Sequence, residues 1–324
     1  MYFNPHVKEK KDEFFNFEVI QNDFKKAISE DHIPLIAIYG LRRTGKTSLV
    51  RVVLNSVRKK YIWIDSRDIS SKHDFYSYIS EQINQKRRIR INKISIKGIE
   101  FSLERHQQNL NYLNNHKMAL VIDEAQLLKK FNVDYVLASI FDNHPNIKLI
   151  ISGSEVGMLK RFLGENNAKA PLYGRAVYEL HMHRLANEQA YEFLKRGFKE
   201  ARVIVPDDEL YEVVNYLSGS IGWLTKYGWH RLRFSHKTAL QKTINEGKLI
   251  VKQEFLKCFY RSEKRYVKLL QTIRGGVPWK TISIKMDISD NQLSEMLTRL
   301  QDSGFIEKIN TNYVIIDRLL EEAF

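Results

Sequence analysis

The stretch Gly40-Leu41-Arg42-Arg43-Thr44-Gly45-Lys46-Thr47 matches the pattern Gly-x-x-x-x-Gly-Lys-[Ser/Thr] without a mismatch, and nothing else in the chain restricts the fold so tightly. The apolar run from Leu35 to Tyr39 predicts a buried strand, and Lys46 onward predicts a helix start. Between them, Gly40 and Gly45 allow a tight turn whose N–H groups approach phosphate oxygens, while the positive end of the following helix points at the same anion. In such a turn Lys46 reaches the β- and γ-phosphates and the Thr47 hydroxyl ligates Mg²⁺. The segment Gly40, Leu41, Arg42, Arg43, Thr44, Gly45, Lys46, Thr47 and Ser48 is therefore expected to hold a nucleotide, ATP or ADP. A strand-to-helix turn containing glycine can match the pattern by chance, so a second motif is needed.

That second motif is Met118-Ala119-Leu120-Val121-Ile122-Asp123-Glu124, an apolar strand ending in two carboxylates about eighty residues further on. An aspartate at the carboxyl end of a neighbouring strand holds Mg²⁺ in phosphate-loop proteins, which assigns Asp123. Glu124 can then polarise the attacking water as a general base. The run Lys148–Ser154 predicts another strand. Ser152 and Ser154 either sense the γ-phosphate or cap the next helix.

Strands at 35–39, 61–65, 118–124 and 148–154 alternate with helical periodicity, which predicts an α/β core with a parallel sheet flanked by helices. Beyond it, helices are expected at 187–201, 207–217 and 223–246. The last part reads as three helices (262–273, 279–286 and 290–301) followed by a hairpin over 304–316, the pattern of a winged helix-turn-helix. The expected domains are therefore 1–185 (core), 186–261 (helical lid) and 262–324 (winged helix). A length of 324 residues with 43% apolar content suits two or three domains. No run of about 18 apolar residues predicts a membrane span, and Met1–Glu13 is too polar for a secretory signal. Cys258 is the only cysteine, so no disulfide forms within the chain, and a cytoplasmic location is expected.

The net charge is +14, and half of the excess lies in residues 51–100, with twelve basic and five acidic side chains. Its densest part is Lys86, Arg87, Arg88, Arg90, Lys93 and Lys97; a second cluster lies between Lys226 and Lys248. Each is either a surface for nucleic-acid phosphates or a solvated face. The helix 290–301, which would read DNA in a winged helix, carries Asp290 and Glu295, with Asp302 at its end, against only Arg299. That acidity argues for packing on the core or on a protein partner.

The chain resembles the archaeal-type ATPases of the AAA+/STAND group. The resemblance rests on the double arginine in Gly40–Leu49, on Tyr61-Ile62-Trp63-Ile64-Asp65, on Val121–Gln126, on Ile150–Ser154 and on Pro171-Leu172-Tyr173-Gly174-Arg175-Ala176. It implies a core, a lid and a C-terminal winged helix, with ATP hydrolysis of slow turnover serving as a switch. It also implies that Arg175 contacts a γ-phosphate, in its own chain or a neighbour's. The family's lid usually carries a proline facing the nucleotide, and here Ile221 stands at that position. The expected function is a nucleotide-dependent switch using ATP and Mg²⁺. The alternatives are a nucleic-acid-associated motor or DNA-binding regulator, and a chain that keeps nucleotide only as structure.

Overall fold

A computed structural model describes residues 2–87, 99–165 and 167–324, with all their side chains except those of 86, 87 and 99–105. Arg88, Arg90, Lys93 and Lys97 lie outside the described residues, as do the side chains of Lys86 and Arg87.

The core sheet is parallel, in the order β2-β3-β4-β1-β5. Its strands are β1 (Leu35–Gly40), β2 (Tyr61–Asp65), β3 (Ala119–Asp123), β4 (Lys148–Gly153) and β5 (Tyr178–Met182). All residues of β1, β3 and β4 are buried, because helices cover both faces. Those helices are α1 (Glu18–Ser29), α2 (Lys46–Ser56), α3 (Lys72–Arg87), α4 (Ile99–Asn115), α5 (Val133–Asn143) and α6 (Val156–Leu163). Residues alternate along each strand between two apolar layers. Ile36, Ile38, Val121 and Ile150 pack under α1 and α2, while Leu35, Ala37, Leu120, Ile122 and Leu149 face the opposite layer. Register is in phase across the sheet: Ile38 pairs with Ser152 on one side and Leu180 on the other, and Asp65 with Asp123. The carboxyl ends of the strands therefore meet at one edge, where a doubly covered sheet places its ligands.

The rest is mostly helical: α7 (Asn187–Glu200), α8 (Asp207–Leu217), α9 (Ile221–Arg231), α10 (His236–Phe259), α11 (Glu263–Ile273), α12 (Trp279–Met286), α13 (Asp290–Asp302) and α14 (Arg318–Glu321). The helix expected over 223–246 is broken in two, with the chain turning at Leu232–Ser235 before α10 begins. A small antiparallel sheet, in the order β6 (Val277–Pro278), β8 (Asn312–Ile315), β7 (Ile306–Ile309), stands beside α11–α13. Residues 187–324 share one apolar cluster, in which Phe255 and Phe259 of α10 pack on Phe305. Among the described residues no helix is long and apolar enough to cross a membrane.

Candidate functional site

The loop between β1 and α2 closes on itself. Gly45 takes φ +94°, a left-handed conformation that a side chain would strain, and Arg43 takes φ +65°. Thr44 Oγ1 donates to the Leu41 carbonyl at 2.9 Å and fixes the bend. Lys46 Nζ lies inside it, donating to the Gly40 and Leu41 carbonyls at 2.8 Å each. The lysine is 6% exposed, and burial pulls its pKa down to about 8 against the opposing pull of Glu124 and Asp123. An ammonium held this way stands where a phosphate would meet the loop.

Beside it, Thr47 Oγ1 donates to Asp123 Oδ2 at 2.8 Å, and Ser152 Oγ donates to Asp123 Oδ1 at 2.5 Å. A hydroxyl and a carboxylate from adjoining elements form an all-oxygen pair, the donor type that suits Mg²⁺ alongside phosphate oxygens and water. Glu124 is the next residue, in a left-handed conformation (φ +55°) that redirects its side chain after the strand. Its Oε2 accepts from Ser154 N at 2.9 Å, Ser154 Oγ at 2.8 Å and Gln126 Nε2 at 2.8 Å. Burial alone would raise this carboxyl's pKa. The Lys46 charge and the donors from Ser154 and Gln126 outweigh it and hold the pKa below the usual value. Six residues from three places in the sequence (Lys46, Thr47, Asp123, Glu124, Ser152 and Ser154) thus converge at the carboxyl edge of β1, β3 and β4.

The two loop arginines have other partners. Arg42 donates to Glu155 Oε1 at 2.6 Å and to the Ser303 carbonyl at 2.7 Å, with its guanidinium 4.8 Å from the Phe305 ring centre. Arg43 donates to Glu254 Oε1 at 2.6 Å and lies 4.2 Å over the Trp223 ring, while its carbonyl accepts from Gly222 N at 3.1 Å. Both guanidinium groups therefore hold α9, α10 and the α13–β7 turn against the loop. Arg161 pairs with Asp302 at 2.5 Å beside the same contact.

Arg175 is not brought to the loop. It precedes β5, whose Met182 end pairs with Gly40, so Arg175 sits at the amino edge of the sheet. There it pairs with Asp142 at 2.5 Å, near the end of α5. One strand length, roughly 20 Å for six residues, separates that edge from Lys46. The resemblance-based expectation of a γ-phosphate contact within the chain is corrected accordingly.

A cavity of about 490 Å³ opens beside the loop, within the ~300–1,000 Å³ usual for small-molecule sites. Gly45, Ser48 and Arg43 form one wall, Ile221, Gly222, Thr225 and Trp229 of α9 a second, and residues 2–15 a third. The Lys8 backbone N–H donates to Ser48 Oγ at 3.0 Å, and Phe3, 1% exposed, anchors the segment between Phe193 and Phe198. Sequence reasoning missed this N-terminal wall; its one cue is the aromatic density of Phe3, Phe14, Phe15 and Phe17. Ile221 lines the cavity at the lid position where proline was expected.

Residues 14–226 match the family model described as an ATPase domain predominantly from Archaea. The structure of a Walker-type ATPase from Pyrococcus abyssi is similar over 100% of this chain and 99% of that one, with a TM-score of 0.87 and 28% identity. Cdc6p from Pyrobaculum aerophilum is similar over 99% and 96% (TM-score 0.55, 14% identity). ORC1 from Aeropyrum pernix, solved in complex with DNA, is similar over 96% and 92% (TM-score 0.52, 15% identity). At those identities the last two show the fold. No curated protein matches.

Proposed function

This chain belongs to the ATPase family found predominantly in archaea, and from that premise we propose that it hydrolyses ATP as a nucleotide-dependent switch. The observation that carries hydrolysis is the pairing of Thr47 with Asp123 at 2.8 Å, beside Lys46 and Glu124. In this reading the adenosine enters the cavity between residues 2–15 and α9. The phosphates take over the Lys46 ammonium and the N–H groups of residues 40–48. Thr47 and Asp123 would hold Mg²⁺, which supplies charge neutralisation at the β- and γ-oxygens when bound. Glu124, kept ionised beside Lys46, accepts the proton of the attacking water. Ser154 fixes that carboxylate, which favours a sensing role over simple helix capping.

The switch rests on Arg42 and Arg43, which join the phosphate loop to the C-terminal third. We read 262–324 as a winged helix with β7 and β8 as its wing, 186–261 as the lid and 1–185 as the core. A triphosphate adds negative charge beside both arginines and competes with Glu155 and Glu254 for them. ATP thereby loosens the contact that holds Ser303 and Phe305 on the loop.

The reading as a nucleic-acid motor has less support. Arg299, the one base of α13, stacks 5.5 Å from Phe259, and Asp302 is paired with Arg161. The DNA seen with ORC1 belongs to that protein. Hydrolysis is tested by Glu124→Gln, which keeps ATP binding and lowers turnover by ~10²–10⁴. Unchanged turnover in that variant removes Glu124 as the base.

A further inference from the structure

We propose that Gln126 is a positioning residue for Glu124, and that Gly153 is present to seat it. The proposal rests on reading Glu124 as the general base. Gln126 is 5% exposed, and its Nε2 reaches Glu124 Oε2 at 2.8 Å. The orientation of the amide is fixed by chemistry: an ionised carboxylate only accepts, so the nitrogen must face it. The other end, Oε1, is buried and has no hydrogen-bond partner among the described residues. Such a group is retained at a cost, which points to a use for the donor at its opposite end.

Gly153 ends β4, and a Cβ there would stand 2.5 Å from Gln126 Oε1 and 3.1 Å from Leu159 Cδ2. The absent side chain is the space the amide occupies. Strand order gives the direction. β3 lies between β2 and β4, and β4 adjoins β1, which carries the loop. By drawing Oε2 toward Ser154 at the end of β4, Gln126 and Ser154 turn the base to the phosphate side of β3, away from β2. Its second oxygen is left for the water. The device joins two segments, Asp123–Gln126 and Ser152–Ser154.

The test compares Gln126→Met, which keeps an unbranched side chain of similar length without the donor, with Gly153→Ala, which denies the amide its seat. Both should lower kcat roughly tenfold to a hundredfold, with the ATP dissociation constant changed less than threefold. In single-turnover assays neither should lower the rate further once Glu124 is Gln, because each acts through that carboxylate. An unchanged kcat in Gln126→Met overturns the proposal, as does a loss of ATP affinity equal to the loss of kcat. An additive loss in the Glu124→Gln background also overturns it. If Glu124→Gln itself turns over normally, the base reading fails first, and the two failures are told apart by that control.

Discussion

Replacing Arg42 with Ala should release the C-terminal third from the phosphate loop. Arg42 and Glu155 are 19% and 14% exposed and meet at 2.6 Å, so removing the guanidinium leaves Glu155 enclosed without its partner. Burial already raises the pKa of Glu155, and Arg42 is the main influence holding it down. Breaking a fully buried pair costs about 3–5 kcal/mol, and partial exposure here brings the figure to roughly 2. The lost bond to the Ser303 carbonyl and the Phe305 ring contact add about 1 kcal/mol together. A total of roughly 3 kcal/mol corresponds to a hundredfold change in the docked-to-released ratio. Native-state hydrogen exchange reads this directly. Amides of Asp302–Ile306 and of α6 should exchange about a hundredfold faster in Arg42→Ala, while those of β1 and β4 stay protected. Glu155→Gln combined with Arg42→Ala should do little more than either alone. Unchanged exchange at Asp302–Ile306 would refute the reasoning, since the contact would then be held by Arg161–Asp302 and apolar packing alone.

Two further outcomes follow from the geometry. Burial holds Lys46 near pKa 8, and bound phosphates favour its charge. Below about pH 8 the lysine is charged before and after binding. Above it binding must take up a proton, so ATP affinity falls by up to about tenfold per pH unit. Titration calorimetry at pH 7, 8 and 9 should show that slope, and Lys46→Arg should lack it, because a guanidinium does not titrate there. Arg175→Ala should cost about 1 kcal/mol of stability by loss of the half-exposed Asp142 pair, and leave turnover at nanomolar concentration unchanged. A loss of rate in the dilute protein would return Arg175 to the site of its own chain.

The strands β1 to β4 are legible as continuous apolar runs because a sheet covered on both faces asks for nothing polar. β5 escaped notice for the converse reason. At the sheet's edge, Tyr178-Glu179-Leu180-His181-Met182 buries only Leu180 and Met182 and reads as five mixed residues. The break between α9 and α10 carries no glycine or proline, so periodicity alone ran the two helices together. Within the site, Lys46, Thr47, Asp123 and Glu124 are legible because a loop and a strand end place them locally. The partners of Arg42 and Arg43 are not, since Glu155, Glu254 and Ser303 lie 113, 211 and 261 positions away. The pattern that marks both arginines as nucleotide ligands concerns their backbone N–H groups and is silent about where long side chains go. For Arg175, spacing after the last recognised strand could not tell one end of a sheet from the other. Only the register of β5 against β1 does.

The claim that nucleotide governs docking of the C-terminal third is tested most directly by a distance. With Cys258 replaced by Ser and single cysteines placed at exposed positions of α5 in the core (Ser139) and of α12 (Lys280), paired dyes report their separation. It should be measured in the Glu124→Gln background to hold ATP unhydrolysed. The account predicts one separation without nucleotide and a larger one with ATP and Mg²⁺, with the change abolished by Lys46→Ala. The same separation in all three conditions, in a protein shown to bind ATP, would contradict it.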